Sequence, residues 1–174
     1  MRQKVSADAI DRFMKAIGRA GKTNTHIYFV GGVSAVLLGW RETTIDIDLK
    51  MVPEANEILK ALPDLKERLQ VNVELASPDD FIPALPGWEE RSTFIGREGA
   101  IDFFHYDFYA QALAKIERGH NTDLMDVRQM IELGLIEPSR LLEFFSRIED
   151  RLYKYPAIDA ESFRSSVQTF LANL

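Results

Sequence analysis

The stretches Val30-Gly31-Gly32-Val33-Ser34 and Thr44-Ile45-Asp46-Ile47-Asp48-Leu49 decide the fold that we expect for this chain. Residues 26–30, which precede the glycine pair, have the β-branched and aromatic content of a core strand. Residues 33–38 have the composition of a short buried helix that ends at a glycine. Residues 43–51 return to strand character, with Ile45, Ile47 and Leu49 on one side and both aspartates on the other. The sequence therefore predicts two strands joined by a diglycine turn and a short helix, with two carboxylates on one sheet face.

The rest of the chain extends this pattern into an α+β fold. The predicted helices cover 7–20, 54–69, 108–117, 123–133, 139–153 and 160–171, and the further strands cover 71–76, 92–95 and 100–105. Ser6 or Asp8 caps the first helix, and Pro63 makes residues 54–69 either one kinked helix or two short ones. Three prolines between residues 77 and 90 predict a loop. We expect a mixed β-sheet flanked by helices over residues 1–105 and a helical C-terminal region over 106–174 packed on that core.

Composition bounds the classes of protein that this chain can belong to. Its 174 residues suit one domain of ordinary size, and 46% hydrophobic with 28% charged residues is globular composition. The net charge of −6 argues against indiscriminate binding to nucleic acid. The sequence has no cysteine, which excludes a disulfide scaffold and thiolate chemistry. Neither a membrane-spanning run nor a secretory signal is visible, so we expect a cytoplasmic protein with no membrane partner.

The glycine pair and the acid pair are both suited to binding phosphate groups, the first directly and the second through a metal ion. A glycine pair at a strand-to-helix turn lets backbone N–H groups approach a phosphate, and the N-terminus of the next helix adds its positive dipole end. Ser34 offers a hydroxyl donor to the same group. Asp46 and Asp48 are suited to hold Mg²⁺, which bridges triphosphate oxygens and activates an attacking hydroxyl. These residues predict a site for a nucleoside triphosphate and its metal.

This arrangement resembles the nucleotidyltransferase superfamily that is related in fold to DNA polymerase beta. The motif of that superfamily is a Gly-Gly or Gly-Ser turn, a spacer and an Asp-apolar-Asp triplet, matched here by Gly31-Gly32 and Asp46-Ile47-Asp48. The Arg-x-Thr run at Arg41 and the later segment Ala114 to Arg118, followed by Asp123 and Asp126, look like a bacterial branch of the superfamily. That branch includes toxin–antitoxin and abortive-infection nucleotidyltransferases and uncharacterised relatives.

The resemblance implies an activity and a set of site residues. The activity is Mg²⁺-dependent transfer of a nucleoside monophosphate from an NTP to a hydroxyl of an RNA end, a protein or a small molecule. In that branch, Lys115 is expected on the nucleotide phosphates and Asp123 near the attacking group. The implied catalytic and metal-binding residues are Asp46, Asp48, Lys115, Asp123 and, as a third metal ligand, Glu74. The implied nucleotide-binding residues are Gly31, Gly32, Ser34, Arg41 and Thr44.

Several of these assignments have alternatives. The third carboxylate is Glu74 or Asp102, or the site uses only two; Glu74 follows the predicted crossover helix directly, which is the expected order. Lys115 and Arg118 could instead form an exposed helix face paired with neighbouring acids. Arg41 either contacts the nucleotide or anchors a loop.

The alternatives at the level of function are a binding protein and a different phosphate enzyme. A non-catalytic member of the fold would act in a toxin–antitoxin type system by binding a cognate toxin or antitoxin partner or a nucleic acid. A kinase or hydrolase is disfavoured because the sequence lacks a Walker-type loop. The aromatic residues at the junction between the last strand and the following helix either stack a base or, as we favour, pack in the core. They are Phe103, Phe104, Tyr106, Phe108 and Tyr109.

Overall fold

A computed structural model describes residues 3–174 of the chain. Helices and strands alternate over the first two thirds, and helices alone follow. In chain order the elements are β1 (Val5–Ser6), α1 (Ala7–Ala20), β2 (Thr25–Val30), α2 (Gly32–Leu38), β3 (Thr43–Thr44), β4 (Asp46–Val52), α3 (Asn56–Leu69), β5 (Asn72–Leu75), α4 (Trp88–Arg91), β6 (Thr93–Glu98), β7 (Ile101–His105), α5 (Phe108–Arg118), α6 (Asn121–Glu132), α7 (Pro138–Ile148) and α8 (Ala160–Ala172), with 3₁₀ turns at Pro78–Asp80 and Glu149–Lys154.

The chain groups into two compact units. Unit 1 contains the chain up to Ser77 together with Ser92–Tyr106, and unit 2 contains Pro78–Arg91 together with Asp107–Leu174. The segment 78–91 therefore groups with the C-terminal helices. The division into a core at residues 1–105 and a helical region at 106–174 packed on it stays a prediction.

Unit 1 is built on a five-stranded mixed sheet, which confirms the predicted α+β class. The strand order is β5-β4-β2-β7-β6, with β2 antiparallel to β4 and parallel to β7. The outer pairs are parallel for β4 and β5 and antiparallel for β6 and β7. The two short strands β1 and β3 form a separate antiparallel pair, which the sequence prediction missed because two residues are too few to show a period.

One face of the sheet carries the core of unit 1. Alternate residues of each strand point to this face because successive side chains of a strand lie on opposite sides. They pack against α1, α2 and α3 and include Ile27, Phe29, Ile47, Leu49, Met51, Val73, Ile101 and Phe103. We call the other side the open face; it carries the intervening residues, among them Asp46 and Asp48.

Local structure decides two alternatives that the sequence left open and corrects one detail of the prediction. Ser6, not Asp8, caps α1, because its hydroxyl accepts a hydrogen bond from the amide of Ala9 at 3.2 Å. Pro63 lies inside α3, which is one helix from Asn56 to Leu69. Ile45 does not share the buried side of β4: it falls between β3 and β4 and is 52% exposed. The predicted single strand over residues 43–51 is therefore two strands with a break at Ile45.

Unit 2 is a group of helices with its own buried residues. Apolar stripes of α5 to α8 supply Leu113, Ile116, Val127, Met130, Leu141, Phe144, Phe145, Phe163 and Val167. The predicted helix at 139–153 ends earlier, at Ile148, and continues as a 3₁₀ turn. Across residues 3–174, none of the helices combines the length and the apolar character that a bilayer crossing needs.

Candidate functional site

The diglycine turn lies directly beside one of the predicted acids. Gly31 stands before α2 with φ +63° and ψ −123°, a conformation that only glycine adopts without strain. A Cβ atom built on Gly31 would lie 3.7 Å from Oδ2 of Asp48. The register agrees, since Val30 at the end of β2 pairs with Asp48 on β4. The fold thus places the backbone of the turn next to the Asp48 carboxylate.

The second glycine is required by close packing. A Cβ atom on Gly32 would lie 2.0 Å from Oγ1 and 2.7 Å from Cβ of Thr44, which no real contact allows. Thr44 in turn donates a hydrogen bond from its hydroxyl to the backbone oxygen of Asp46 at 3.3 Å. The turn, β3 and the start of β4 therefore pack closely together. Four predicted site residues meet here: Gly31, Gly32, Thr44 and Asp46.

The two aspartates share the open face of β4 with a neighbour that the sequence analysis missed. Asn72 pairs with Asp46 and Glu74 pairs with Asp48 across the parallel β4–β5 ladder. The side-chain amide of Asn72 donates to Oδ1 of Asp46 at 2.7 Å and to Oε1 of Glu74 at 3.2 Å. Asn72 therefore binds both Asp46, a predicted metal ligand, and Glu74, the first candidate for a third carboxylate. The two-residue spacing of Asn72 and Glu74 could have indicated this, but only with the strand pairing known.

The second candidate for a third carboxylate lies elsewhere. Asp102 is in register with His26 on β2, and His26 is four residues along the strand from Val30, about 13 Å at strand spacing. Both oxygens of Asp102 accept hydrogen bonds from Arg97 at 3.0 Å. Of the two candidates, Glu74 is therefore the one that shares a strand pair with the acids.

The donor chemistry of this part of the sheet fits a hard cation. Proteins usually hold Mg²⁺ through one or two carboxylates, and water and substrate phosphates complete its coordination shell. Within residues 3–174, no group of three or more His, Cys, Asp or Glu side chains is arranged to hold a metal ion. The residues present fit a site in which Asp46 and Asp48 hold Mg²⁺ together with the phosphates of a bound nucleotide.

Ser34 is placed behind the turn rather than at its surface. Its side chain is wholly buried, and its hydroxyl lies 2.8 Å from Nδ1 of His105 at the end of β7. Burial lowers the pKa of His105 to about 4, so the imidazole is neutral at pH 7. The pair links α2 to the central strands. Arg41 is half-buried in the segment after α2, where its backbone amide donates to the oxygen of Ala35 at 3.3 Å.

The other predicted catalytic residues form an ion cluster inside unit 2. Nζ of Lys115 lies 2.9 Å from Oδ2 of Asp126 and 3.5 Å from Oδ1 of Asp123. Arg118 binds Asp123 through two hydrogen bonds of 2.7 and 2.5 Å. Burial opposes ionisation of Asp123, but Arg118 and Lys115 outweigh it and hold the pKa of Asp123 below its usual value.

This cluster corrects one alternative. The pairing of Lys115 with the acids of α6 was foreseen, but its side chain is only 9% exposed and does not form a solvated helix face. The side chains of Lys115, Asp123 and Asp126 are therefore largely out of water, whereas that of Arg118 is 57% exposed. The roles of Lys115 and Asp123 in nucleotide transfer stay predictions.

The aromatic residues at the junction between β7 and α5 lie partly in the core and partly on the open face of the sheet. Phe103 belongs to the core of unit 1, and Tyr106, Phe108 and Tyr109 are buried, as we favoured. Phe104 instead lies on the open face of the sheet beside Tyr28, with the two rings 5.1 Å apart.

Comparison with solved structures shows which known fold this chain resembles. The chain is similar to an antigenic nucleotidyltransferase-like protein from Paracoccidioides brasiliensis, with 14% sequence identity, a TM-score of 0.52 and 95% of each chain covered. The fold is therefore nucleotidyltransferase-like. A model of the family described as nucleotidyltransferase of unknown function (DUF6036) matches residues 8–166, and the chain belongs to that family. No curated protein matches it. The predicted bacterial, toxin–antitoxin branch stays a prediction.

Proposed function

We propose that this protein is an Mg²⁺-dependent nucleotidyltransferase that moves a nucleoside monophosphate from an NTP to a hydroxyl acceptor. One observation carries the proposal: the diglycine turn, β3 and the acid pair of β4 meet where β2 ends and β4 begins, with Gly31 against Asp48. Membership in a nucleotidyltransferase family supports the general class. In the reaction, the acceptor oxygen forms a bond to the α-phosphorus, the bond to the β-phosphate oxygen breaks, pyrophosphate leaves and the hydroxyl proton is released.

The chain's own residues would bind and orient the donor. We assign the phosphates to the backbone N–H groups of the turn, because the absence of a Cβ at Gly31 leaves room for close approach. The dipole of α2 is a minor contributor, since that helix has only seven residues. Asp46 and Asp48 would hold Mg²⁺, which when bound neutralises phosphate charge and lowers the pKa of a coordinated hydroxyl. Asn72 would keep Asp46 oriented through its 2.7 Å hydrogen bond.

The remaining predicted residues receive more limited roles. Thr44 supports the turn and the start of β4, and Arg41 would supply a cation to the nucleotide from the segment after α2. Ser34 is a positioning residue in this proposal, because its buried hydroxyl meets His105. The assignment of Lys115 to phosphates and Asp123 to the acceptor rests on the family resemblance, whereas their ion pairs support a structural role.

The first experiment is a calorimetric titration of ATP, GTP, CTP and UTP with and without Mg²⁺. We expect Mg²⁺-dependent binding of at least one nucleotide by the wild type and a loss of about 100-fold or more in the double variant Asp46→Asn, Asp48→Asn, since both metal ligands are weakened. The matched control is Asp8→Asn, Asp64→Asn, which removes the same charge from carboxylates that are 80% and 77% exposed.

Transfer itself is tested with the single variant Asp48→Asn. We expect it to fold as the wild type does and to release no pyrophosphate in the presence of a competent acceptor. Unchanged turnover in Asp48→Asn, or equal nucleotide affinity in the two double variants, would remove the acid pair from the mechanism.

A further inference from the structure

The open face of the sheet carries a cluster of aromatic rings beyond the acid pair. Tyr28 on β2 is in register with Phe104 on β7, which is in register with Phe94 on β6. The Tyr28 and Phe104 rings are stacked with centroids 5.1 Å apart, and Phe94 meets Phe104 edge-on at 5.6 Å. His26 lies 5.0 Å from the same Phe104 ring. We call these four residues the aromatic platform.

Burial shows which rings of the platform are available. Tyr28 is only 2% exposed and forms its base, whereas Phe94 is 57% exposed and the side chain of His26 is 48% exposed. Phe94 stands on β6, an edge strand, where an exposed large apolar side chain invites association and is usually avoided. The Phe104 ring packs edge-on against Phe94, so a flat ligand would meet an exposed ring that is supported from behind.

The aromatic platform begins close to the acid pair, at Tyr28. Tyr28 is two residues from Val30 on β2, about 7 Å at strand spacing, and Val30 pairs with Asp48. Lys50, on the same face of β4 as Asp48, is in register with Tyr28. On the far side, Arg97 is in register with Asp102. The aromatic row therefore leads away from the proposed metal site, and Arg97 at its far side is paired with Asp102 at 3.0 Å.

We propose that the aromatic platform binds the terminal bases of a single-stranded nucleic acid, whose end hydroxyl is the acceptor in the transfer. This inference rests on the proposed function. Stacking on half-exposed rings suits bases of any sequence, because every base has a π face. The row from Phe94 to Lys50 crosses three strand spacings, about 14 Å, which is enough for more than one nucleotide.

The test compares two phenylalanines of equal exposure. Fluorescence anisotropy with a labelled eight-nucleotide oligoadenylate RNA, in Mg²⁺ without NTP, measures binding by the wild type, Phe94→Ala and Phe81→Ala; Phe81 is also 57% exposed but belongs to unit 2. We expect Phe94→Ala to weaken binding about 10-fold or more, Phe81→Ala to leave it within about twofold and Phe94→Tyr to restore it. An abasic oligonucleotide of the same length should bind weakly, and its affinity should be the same for the wild type and for Phe94→Ala. Thermal unfolding of each variant confirms that it is folded.

The outcomes separate this inference from the proposed function. Mg²⁺-dependent NTP binding without oligonucleotide binding would overturn the platform and leave the transferase proposal standing. Equal effects of Phe94→Ala and Phe81→Ala, or wild-type affinity for the abasic strand, would also overturn it. A loss of NTP affinity in Phe94→Ala would mean that the platform holds the donor base instead. Oligonucleotide binding by a protein that binds no NTP would refute the acceptor role together with the proposed function.

Discussion

Individual residues of the site are constrained by contacts that can be measured one at a time. The clearest case is Gly32, whose position against Thr44 leaves no room for a methyl group. Gly31 is constrained differently, by a backbone conformation that a side chain disfavours. The two glycines of the motif are therefore needed for different physical reasons, although the sequence shows them as a pair.

Gly32→Ala tests the close packing of the turn. We expect a loss of about 2 kcal/mol in the free energy of unfolding, because the new Cβ forces Thr44 and the start of β4 to move. Mg²⁺-dependent NTP binding should weaken with it. Urea unfolding and calorimetry measure both quantities. Gly96→Ala is the matched control, since its Cβ would meet nothing closer than Met14 Cε at 4.0 Å. Equal free energies of unfolding for Gly32→Ala and Gly96→Ala would show that the turn accommodates a methyl group.

His105 should make stability depend on pH. An unfolded histidine binds its proton near pH 6.5, whereas burial lowers the pKa of folded His105 to about 4. Between these values the unfolded state binds more protons, so the free energy of unfolding falls as pH drops from 6.5 to 4, by up to about 3 kcal/mol. Chemical unfolding at several pH values should show this slope in the wild type and a shallower one in His105→Gln. Parallel curves for the two proteins would contradict the assignment.

At the scale of elements, helices α5 and α6 are joined by the buried ion cluster. Lys115 reaches Asp126 and Asp123 at once, and Arg118 closes the far side of Asp123. A buried ion pair adds little over apolar packing, but removal of one partner leaves an uncompensated charge out of water. The spacing of these residues on two helices suggested the pairing; the burial follows only from how the helices of unit 2 pack.

Substitution of Lys115 tests this cluster. Lys115→Met should lower the free energy of unfolding by about 3 kcal/mol or more, because Asp126 then stays buried without its cation. The double variant Lys115→Met, Asp126→Leu should recover part of that loss, since Asp123 keeps Arg118. Lys60→Met, an exposed position on α3, should change stability by less than about 0.5 kcal/mol. Denaturant unfolding measures the free energy of unfolding of each variant. If the effects of Lys115→Met and Asp126→Leu simply add in the double variant, Lys115 and Asp126 are not energetically coupled.

At the scale of the whole molecule, the two units are interleaved in sequence. The segment Pro78–Arg91 leaves unit 1 and groups with the C-terminal helices before the chain returns for β6 and β7. Its Ile82 and Leu85 are each 1% exposed, and Arg91 is paired with Asp107 at 2.7 Å. Neither unit is therefore one continuous piece of chain.

A fragment of residues 1–105 should fail to fold stably. It keeps the segment 78–91 but loses Asp107 and the C-terminal helices, so Ile82, Leu85 and the Arg91 guanidinium lose their partners. The same fragment with 78–91 replaced by a short Gly/Ser linker should melt cooperatively. Circular dichroism and size-exclusion chromatography measure this. Cooperative melting of the unmodified fragment would show that unit 1 tolerates the segment alone.

Local sequence determined much of this protein. The alternation of Asp46, Ile47, Asp48 and Leu49 set the face of each side chain, because a strand has a period of two residues. The helix at 7–20 and the strand–turn–helix around Gly31 follow from similarly short-range preferences. These patterns, with the glycine and acid pairs, were enough to predict the class of fold and to place both aspartates on one face of the sheet.

Tertiary structure alone decided which distant residues meet. Strand order and register place Asn72 between Asp46 and Glu74, separate Asp102 from them and align Tyr28, Phe104 and Phe94 in one row. Packing buries Ser34 against His105 and Lys115 between two aspartates. No local period specifies such contacts, because they join segments far apart in the chain and depend on how strands pair and helices pack. The sequence therefore predicted the motif, and the fold determined its neighbours.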